Sequence, residues 1–120
     1  AAAAGLAVLD VVAAENLQAN ALSVGQHLRD EVQGLMRDHP LIGDVRGQGL
    51  FLAVELVTDR ETRRPATDAT RRLVNALRER GVLTGMIGPS ANILKLRPPM
   101  VVSRSDADFF LEQFSVVLAA

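Results

Sequence analysis

The sequence predicts an α+β domain: a small, mostly antiparallel sheet of about three to four strands, with helices packed on one face. Three observations carry this. Leu50, Leu52, Val54 and Leu56 alternate with Phe51, Ala53 and Glu55, the period of a strand with one apolar face. The stretch Asn92-Ile93-Leu94-Lys95-Leu96-Arg97 alternates in the same way and stops at Pro98-Pro99. After it, Ala107, Phe110, Leu111, Phe114, Val117 and Leu118 form an apolar stripe at helical spacing to the end of the chain. Strands and helices of this kind, without a strict βαβ alternation, pack as two layers.

Taken in order, residues 1–14 are apolar nearly all round, with Leu6, Val8, Leu9, Val11 and Val12 covering most of a helical circumference. Such a helix needs burial on several sides, more than a chain of 120 residues offers, so a partner domain or chain is expected beside it. From Asn16, a residue suited to capping, a second helix should run towards Asp38, with Leu17, Ala21, Val24, Leu28, Val32 and Leu35 on one face. His39-Pro40 ends it. Gly43 and Gly47-Gln48-Gly49 bracket a turn or bulge ahead of the strand that starts at Leu50. This Gly-x-Gly is not a dinucleotide fingerprint, because a strand follows it and the third glycine is missing. Thr58 to Pro65 reads as a charged, solvated loop. A helix is expected from about Thr67, with Leu73, Val74 and Leu77 inward and Gly81 as its C-terminal cap. Val82 to Met86 should form a short strand, and Gly88 to Asn92 a turn. Ser103-Arg104-Ser105-Asp106 has the form of a capping box, with aspartate in place of the usual glutamate. The expected order is helix, helix, strand, helix, strand, strand, helix.

Composition narrows the functions. A formal net charge of −1 gives no basis for a nucleic-acid partner, and four phenylalanines with no tyrosine or tryptophan give no platform for stacking bases. There is no cysteine, which excludes disulfides, thiol chemistry and cysteine-based zinc sites. His27 and His39 lack metal-ligand spacing and read as surface residues. The N-terminal apolar run lacks a basic n-region, is too short to span a bilayer and carries Asp10, so no membrane partner is expected. Beginning Ala1-Ala2-Ala3-Ala4, the chain is expected to be a cut from a longer protein.

Few residues could carry chemistry. Lys95 and Arg97 stand two apart on a strand and so share a face, with Leu94 and Leu96 buried behind them. Pro98 holds Arg97 extended. The pair either guards a sheet edge or meets an anion. Arg46, between the glycines, is either a solvated turn residue or a further anion contact. Glu55 could act as an acid or base, although such a residue more often pairs with a neighbouring arginine. No serine has a nucleophile's surroundings and no phosphate-cradling loop precedes a helix, so no catalytic, cofactor-binding or metal-binding residue is assigned.

Three stretches together resemble the C-terminal small domain of class III aminotransferases, the pyridoxal-phosphate enzymes of fold type I. They are Ala1–Asp10 with Glu15-Asn16-Leu17; Ile42-Gly43-Asp44-Val45-Arg46-Gly47-Gln48-Gly49-Leu50-Phe51, continuing to Val57; and Asn92 to Met100, followed by the capped helix with Asp106-Ala107-Asp108. Within that family the chain is most similar to the branch of alanine–glyoxylate aminotransferase-like proteins and phospholyases, on Pro65-Ala66-Thr67, Gly88-Pro89 with Asn92, and Lys95. The resemblance implies that residues 1–15 are a linking helix from a missing N-terminal large domain and that residues 16–120 are the small domain. It implies transfer of an amino group between an amino donor and a 2-oxo acid or aldehyde, or elimination from a phosphorylated amino alcohol or amino acid. A small-molecule amine or amino-acid substrate, a cytoplasmic setting and a homodimer go with it. Lys95 stands where many of these enzymes carry a carboxylate-binding arginine, which makes Lys95, Arg97 and Arg46 the substrate-binding candidates. Lys95 is the only lysine in the chain, but the cofactor's Schiff-base lysine lies in the large domain of such enzymes. Pyridoxal phosphate would then be held by the missing domain, and this chain alone should neither bind it nor be active. From a different class, a free-standing α+β binding module remains the alternative.

Overall fold

The computed structural model describes residues 1–120. Its elements, in chain order, are α1 (Ala2–Ala14), α2 (Leu17–Leu35), β1 (Ile42–Gln48), β2 (Phe51–Asp59), β3 (Arg64–Pro65), α3 (Thr67–Glu79), β4 (Gly85–Ile87), β5 (Ile93–Leu96) and α4 (Arg104–Ala119). The strands pair antiparallel in the order β1-β2-β5-β4, and β3 pairs with β2 off that path. The α+β class holds, with four strands in the main path and a two-residue fifth.

Three elements differ from expectation: β1, β4 and, in the segment read as a loop, β3. Residues 42–48, read as a turn ahead of one strand, are themselves a strand paired along β2. Period 2 is hidden in the sequence because the register shifts between Ile42 and Asp44, so the buried residues of β1, Ile42 and Val45, lie three apart. The hairpin closes through Gly49 and Leu50, between the paired Gln48 and Phe51. Gly47 has φ +132°, and a Cβ there would lie 2.1 Å from the carbonyl oxygen of Phe51, so only glycine fits. The strand expected over 82–86 is confined to Gly85–Ile87. Thr58–Pro65 turns back as a tight hairpin in which the Asp59 carboxylate accepts the N–H groups of Glu61 (2.8 Å) and Thr62 (3.0 Å).

One face of the sheet is apolar, with Val45, Leu52, Val54, Leu56, Leu94 and Leu96 all buried. It packs against Val24, Leu28 and Val32 of α2, Leu73 and Leu77 of α3, and Ala107 and Phe114 of α4. The ring of Phe110 stacks on that of Phe114 at 5.4 Å. Helix ends follow their chemistry. Gly81, at φ +84°, closes α3, with Val82 N–H donating to Leu77 C=O and Gly81 N–H to Arg78 C=O, a Schellman motif. Ser103 Oγ accepts the N–H of Asp106 (3.1 Å) while Asp106 Oδ2 accepts the N–H of Ser103 (3.0 Å), completing the box that starts α4. Asn16 differs from its expected role: its φ is +51° and its side chain caps nothing, so it serves as the turn residue joining α1 to α2.

α1 touches only α2. Leu6, Val8, Leu9 and Val11 are 46–65 % exposed. No single helix is long and apolar enough to cross a membrane, and α1 and α2 reach that length together only across a 61° bend.

Candidate functional site

The face of the sheet opposite the helices is uncovered, and strand alternation brings the charged candidates there. The β1–β2, β2–β5 and β4–β5 registers place Arg46, Ala53, Lys95 and Gly85 in one row across four strands. The adjacent row is Asp44, Glu55, Ile93 and Ile87. Arg97 lies one residue beyond β5, and the β2–β5 register, carried one pair further, sets it opposite the exposed Phe51. Lys95 is half-buried and Arg97 exposed, with Leu94 and Leu96 behind them in the core, as the i, i+2 spacing requires. The Lys95 carbonyl accepts the Thr84 hydroxyl at 3.0 Å, which pins the lysine's backbone to the segment entering β4.

The three cations are not equally available. Arg46 Nη1 donates to Asp44 Oδ2 at 2.8 Å and to Glu55 Oε2 at 2.7 Å. These two hydrogen bonds, Asp44's first, hold the guanidinium's pKa above its ordinary value, so Arg46 is a fixed charge already matched by two carboxylates. Glu55 is thereby accounted for as an ion-pair partner. Lys95 and Arg97 take part in no ion pair. The Asp44–Arg46–Glu55 cluster was beyond the reach of the sequence, because it depends on the pairing of β1 with β2. Its signals in the sequence were the i, i+2 spacing of Asp44 and Arg46 and the tendency of a residue such as Glu55 to pair with a neighbouring arginine, without saying which one.

Both free cations also border a cleft of about 490 Å³ between the end of β5, residues 82–85 and the first turns of α4. Leu28, Val102, Ala107 and Phe110 line its helix side. His27, expected at the surface, is instead half-buried on α2, with Nε2 2.6 Å from Asp108 Oδ1, and ties α2 to α4 away from the sheet face. No three His, Cys, Asp or Glu side chains gather to hold a metal ion.

Residues 1–118 match the family described as Aminotransferase class-III. The chain belongs to that family. It is 46 % identical over 109 residues to alanine–glyoxylate aminotransferase 2 homolog 2, mitochondrial, of Arabidopsis thaliana, covering 91 % of this chain and 23 % of that protein. Among solved structures, a phospholyase from Arthrobacter in complex with phosphoethanolamine superposes with a TM-score of 0.93 at 40 % identity, over 98 % of this chain and 28 % of that one. An amine transaminase from an uncultivated Pseudomonas species, in its PLP-bound form, gives 0.87 at 38 % identity, over 98 % of this chain and 26 % of that one. The chain thus spans about a quarter of the length of the family members it matches. The resemblance drawn from the three sequence stretches and the α+β class agree with these findings.

Proposed function

We propose that residues 16–120 are the small domain of a pyridoxal-phosphate-dependent class III aminotransferase, and that its uncovered sheet face forms one wall of the active site. In this reading α1 links the domain to an N-terminal large domain, and the enzyme works as a homodimer. The observation that carries it is the pair Lys95 and Arg97, side by side on the open face with no ion partner inside the chain. Unpaired cations on a fixed strand can orient a substrate's anionic group and so hold its amine in one place relative to the cofactor. Arg46 is the third candidate, with Nη1 taken up by carboxylates and its other nitrogens free. The family match over residues 1–118 favours an enzyme domain over a free-standing binding module. The uncovered apolar surface of α1 favours it too.

Pyridoxal phosphate, when bound, supplies an electron sink for the bonds at the amine-bearing carbon. The residues of this chain do not make a site for it by themselves. The sole lysine borders the cleft beside α4, but the one carboxylate that lines that cleft, Asp106, is taken up by the capping box with Ser103 and is not left to pair with a pyridinium nitrogen. The cofactor and its lysine are therefore placed in the large domain, and the role of this chain is substrate binding and orientation.

A phospholyase is the second reading. It is favoured by the neighbour solved with phosphoethanolamine and by lysine at position 95, a point charge without the fork that binds a carboxylate bidentately. Assay of the full-length protein decides: keto-acid formation without phosphate release supports the aminotransferase, and phosphate release supports the lyase. Unchanged kcat/KM in Lys95→Ala and Arg97→Ala for every accepted substrate would sink the role given to the sheet face.

A further inference from the structure

Residues 98–102 lead from the strand end at Arg97 to the cap of α4, and little inside the segment holds them. None of their side chains is buried, and Met100 and Val101 are 38 and 62 % exposed. Pro98 and Pro99 have no N–H to donate, and one internal hydrogen bond remains, from Val102 N–H to Pro99 C=O at 3.0 Å. The tie comes from α2. Asn20 gives both hydrogens of its side-chain amide to the segment: Nδ2 donates to the Met100 carbonyl at 2.8 Å and to the Val102 carbonyl at 2.9 Å. Its own N–H donates to Asn16 C=O at 3.0 Å, so the first turn of α2 fixes the base of that grip.

The elements on either side are anchored without Asn20. Lys95 and Leu96 are paired with neighbouring strands, and the Thr84 hydroxyl pins the Lys95 carbonyl. α4 starts in its capping box and is joined to α2 by His27 and Asp108 at 2.6 Å. Arg97 falls between these anchors, past the last strand pair and next to Pro98. The direction in which it leaves the sheet is therefore set by the segment that follows it.

We propose that Asn20 is a positioning residue for Arg97, acting through residues 98–102 to hold the guanidinium ready for the substrate's anionic group. This rests on the reading of the open face as an active-site wall, and deepens it. A cation fixed before the substrate arrives loses less freedom on binding. Releasing the grip should thus weaken binding and leave the later chemistry alone, whereas Lys95, held by its own strand, should not respond.

The test mixes the full-length holoenzyme rapidly with L-alanine, a carboxylate amine, and with phosphoethanolamine, a phosphate amine. The cofactor's absorbance then gives a half-saturating concentration and a limiting rate. Asn20→Leu should raise the first at least fivefold and leave the second within twofold, the pattern of lost uniform binding. The thermal midpoint should stay within about 3 °C, because water replaces the amide at two accessible carbonyls. Asn20→Asp, which turns an acceptor towards those carbonyls, should weaken binding at least as much, and it keeps the test open if leucine hinders folding. A double-mutant cycle separates positioning from a structural role. In an Arg97→Gln background Asn20→Leu should have less than a twofold effect, and in Lys95→Gln its full effect. Equal weakening in both backgrounds, or none in the unaltered enzyme, overturns the role of Asn20. If Arg97→Gln weakens binding and neither Asn20 variant does, that role falls and the active-site wall stands. If Lys95→Gln and Arg97→Gln are both without effect, or the unaltered enzyme binds neither amine, both readings fall.

Discussion

Arg46 and Glu55 are joined across β1 and β2 by a hydrogen bond of 2.7 Å, Nη1 to Oε2, and the same nitrogen reaches Asp44 at 2.8 Å. That shared nitrogen separates Arg46 from the other two cations of the sheet face. The arginine side chain is 46 % exposed, so the cluster contributes little to stability, under about 1 kcal/mol for a solvent-screened pair. In the full-length enzyme, Arg46→Gln should lower kcat/KM less than Lys95→Gln, because part of its charge is already answered. An equal or larger loss for Arg46→Gln, measured with the same substrate, would reverse the ranking.

Gly25 of α2 lies against the β1–β2 turn so closely that an added Cβ would sit 2.0 Å from the carbonyl oxygen of Gly49. Both partners are backbone and neither can swing aside. Gly25→Ala should therefore push α2 off the hairpin and cost about 1–3 kcal/mol, the range for overpacked interiors. A urea midpoint equal to that of the unaltered protein would show that the helix slides without penalty. The better helix propensity of alanine works the other way, but at about 1 kcal/mol it does not offset a clash of this depth.

The capping box makes a pH prediction. Hydrogen bonds from Ser103, side chain first and then backbone, hold the Asp106 carboxyl below its ordinary pKa of 3.8. A depressed folded-state pKa gives stability that is present above the unfolded value and lost as pH falls through the folded one. Thermal midpoints should thus drop as pH is lowered below about 4, and the drop should be shallower in Asp106→Asn. Asp59, lowered by the N–H groups of Thr62 and Glu61, adds to the same acid limb, so the slope is reduced and not abolished. Ser103→Ala should cost about 1 kcal/mol at neutral pH, where Asp106→Asn costs less.

Arg60 gathers the carbonyls of Ile42 (3.0 Å), His39 (3.0 Å) and Met36 with one guanidinium, closing the chain between α2 and β1. Arg60→Ala should destabilise by about 1.5–3 kcal/mol, as for hydrogen bonds from a charged donor. Arg60→Lys should recover only part of this, since an ammonium lacks the planar fork. Full recovery by lysine in a urea titration would mean that charge alone closes the junction.

Much of this was legible in the residues, and what was not has a physical cause. α4 could be read because its cap and stripe are local, and Lys95 and Arg97 could be assigned one face because strand alternation is local too. β1 could not, because a bulge at Gly43 breaks its alternation and leaves only Ile42 and Val45 buried. The row Arg46–Ala53–Lys95–Gly85 joins residues 46, 53, 95 and 85, and only the pairing of four strands brings them together. Asn16 misled, since its residue type suits both a side-chain cap and a left-handed turn.

β2 and β5 give their alternate residues to two unrelated tasks, the inner ones to the core and the outer ones to the open face. A change at Ala53 or Lys95 therefore leaves Val54 and Leu94 packed as before. Such a sheet lets its open face change one outward residue at a time, without unfolding on the way.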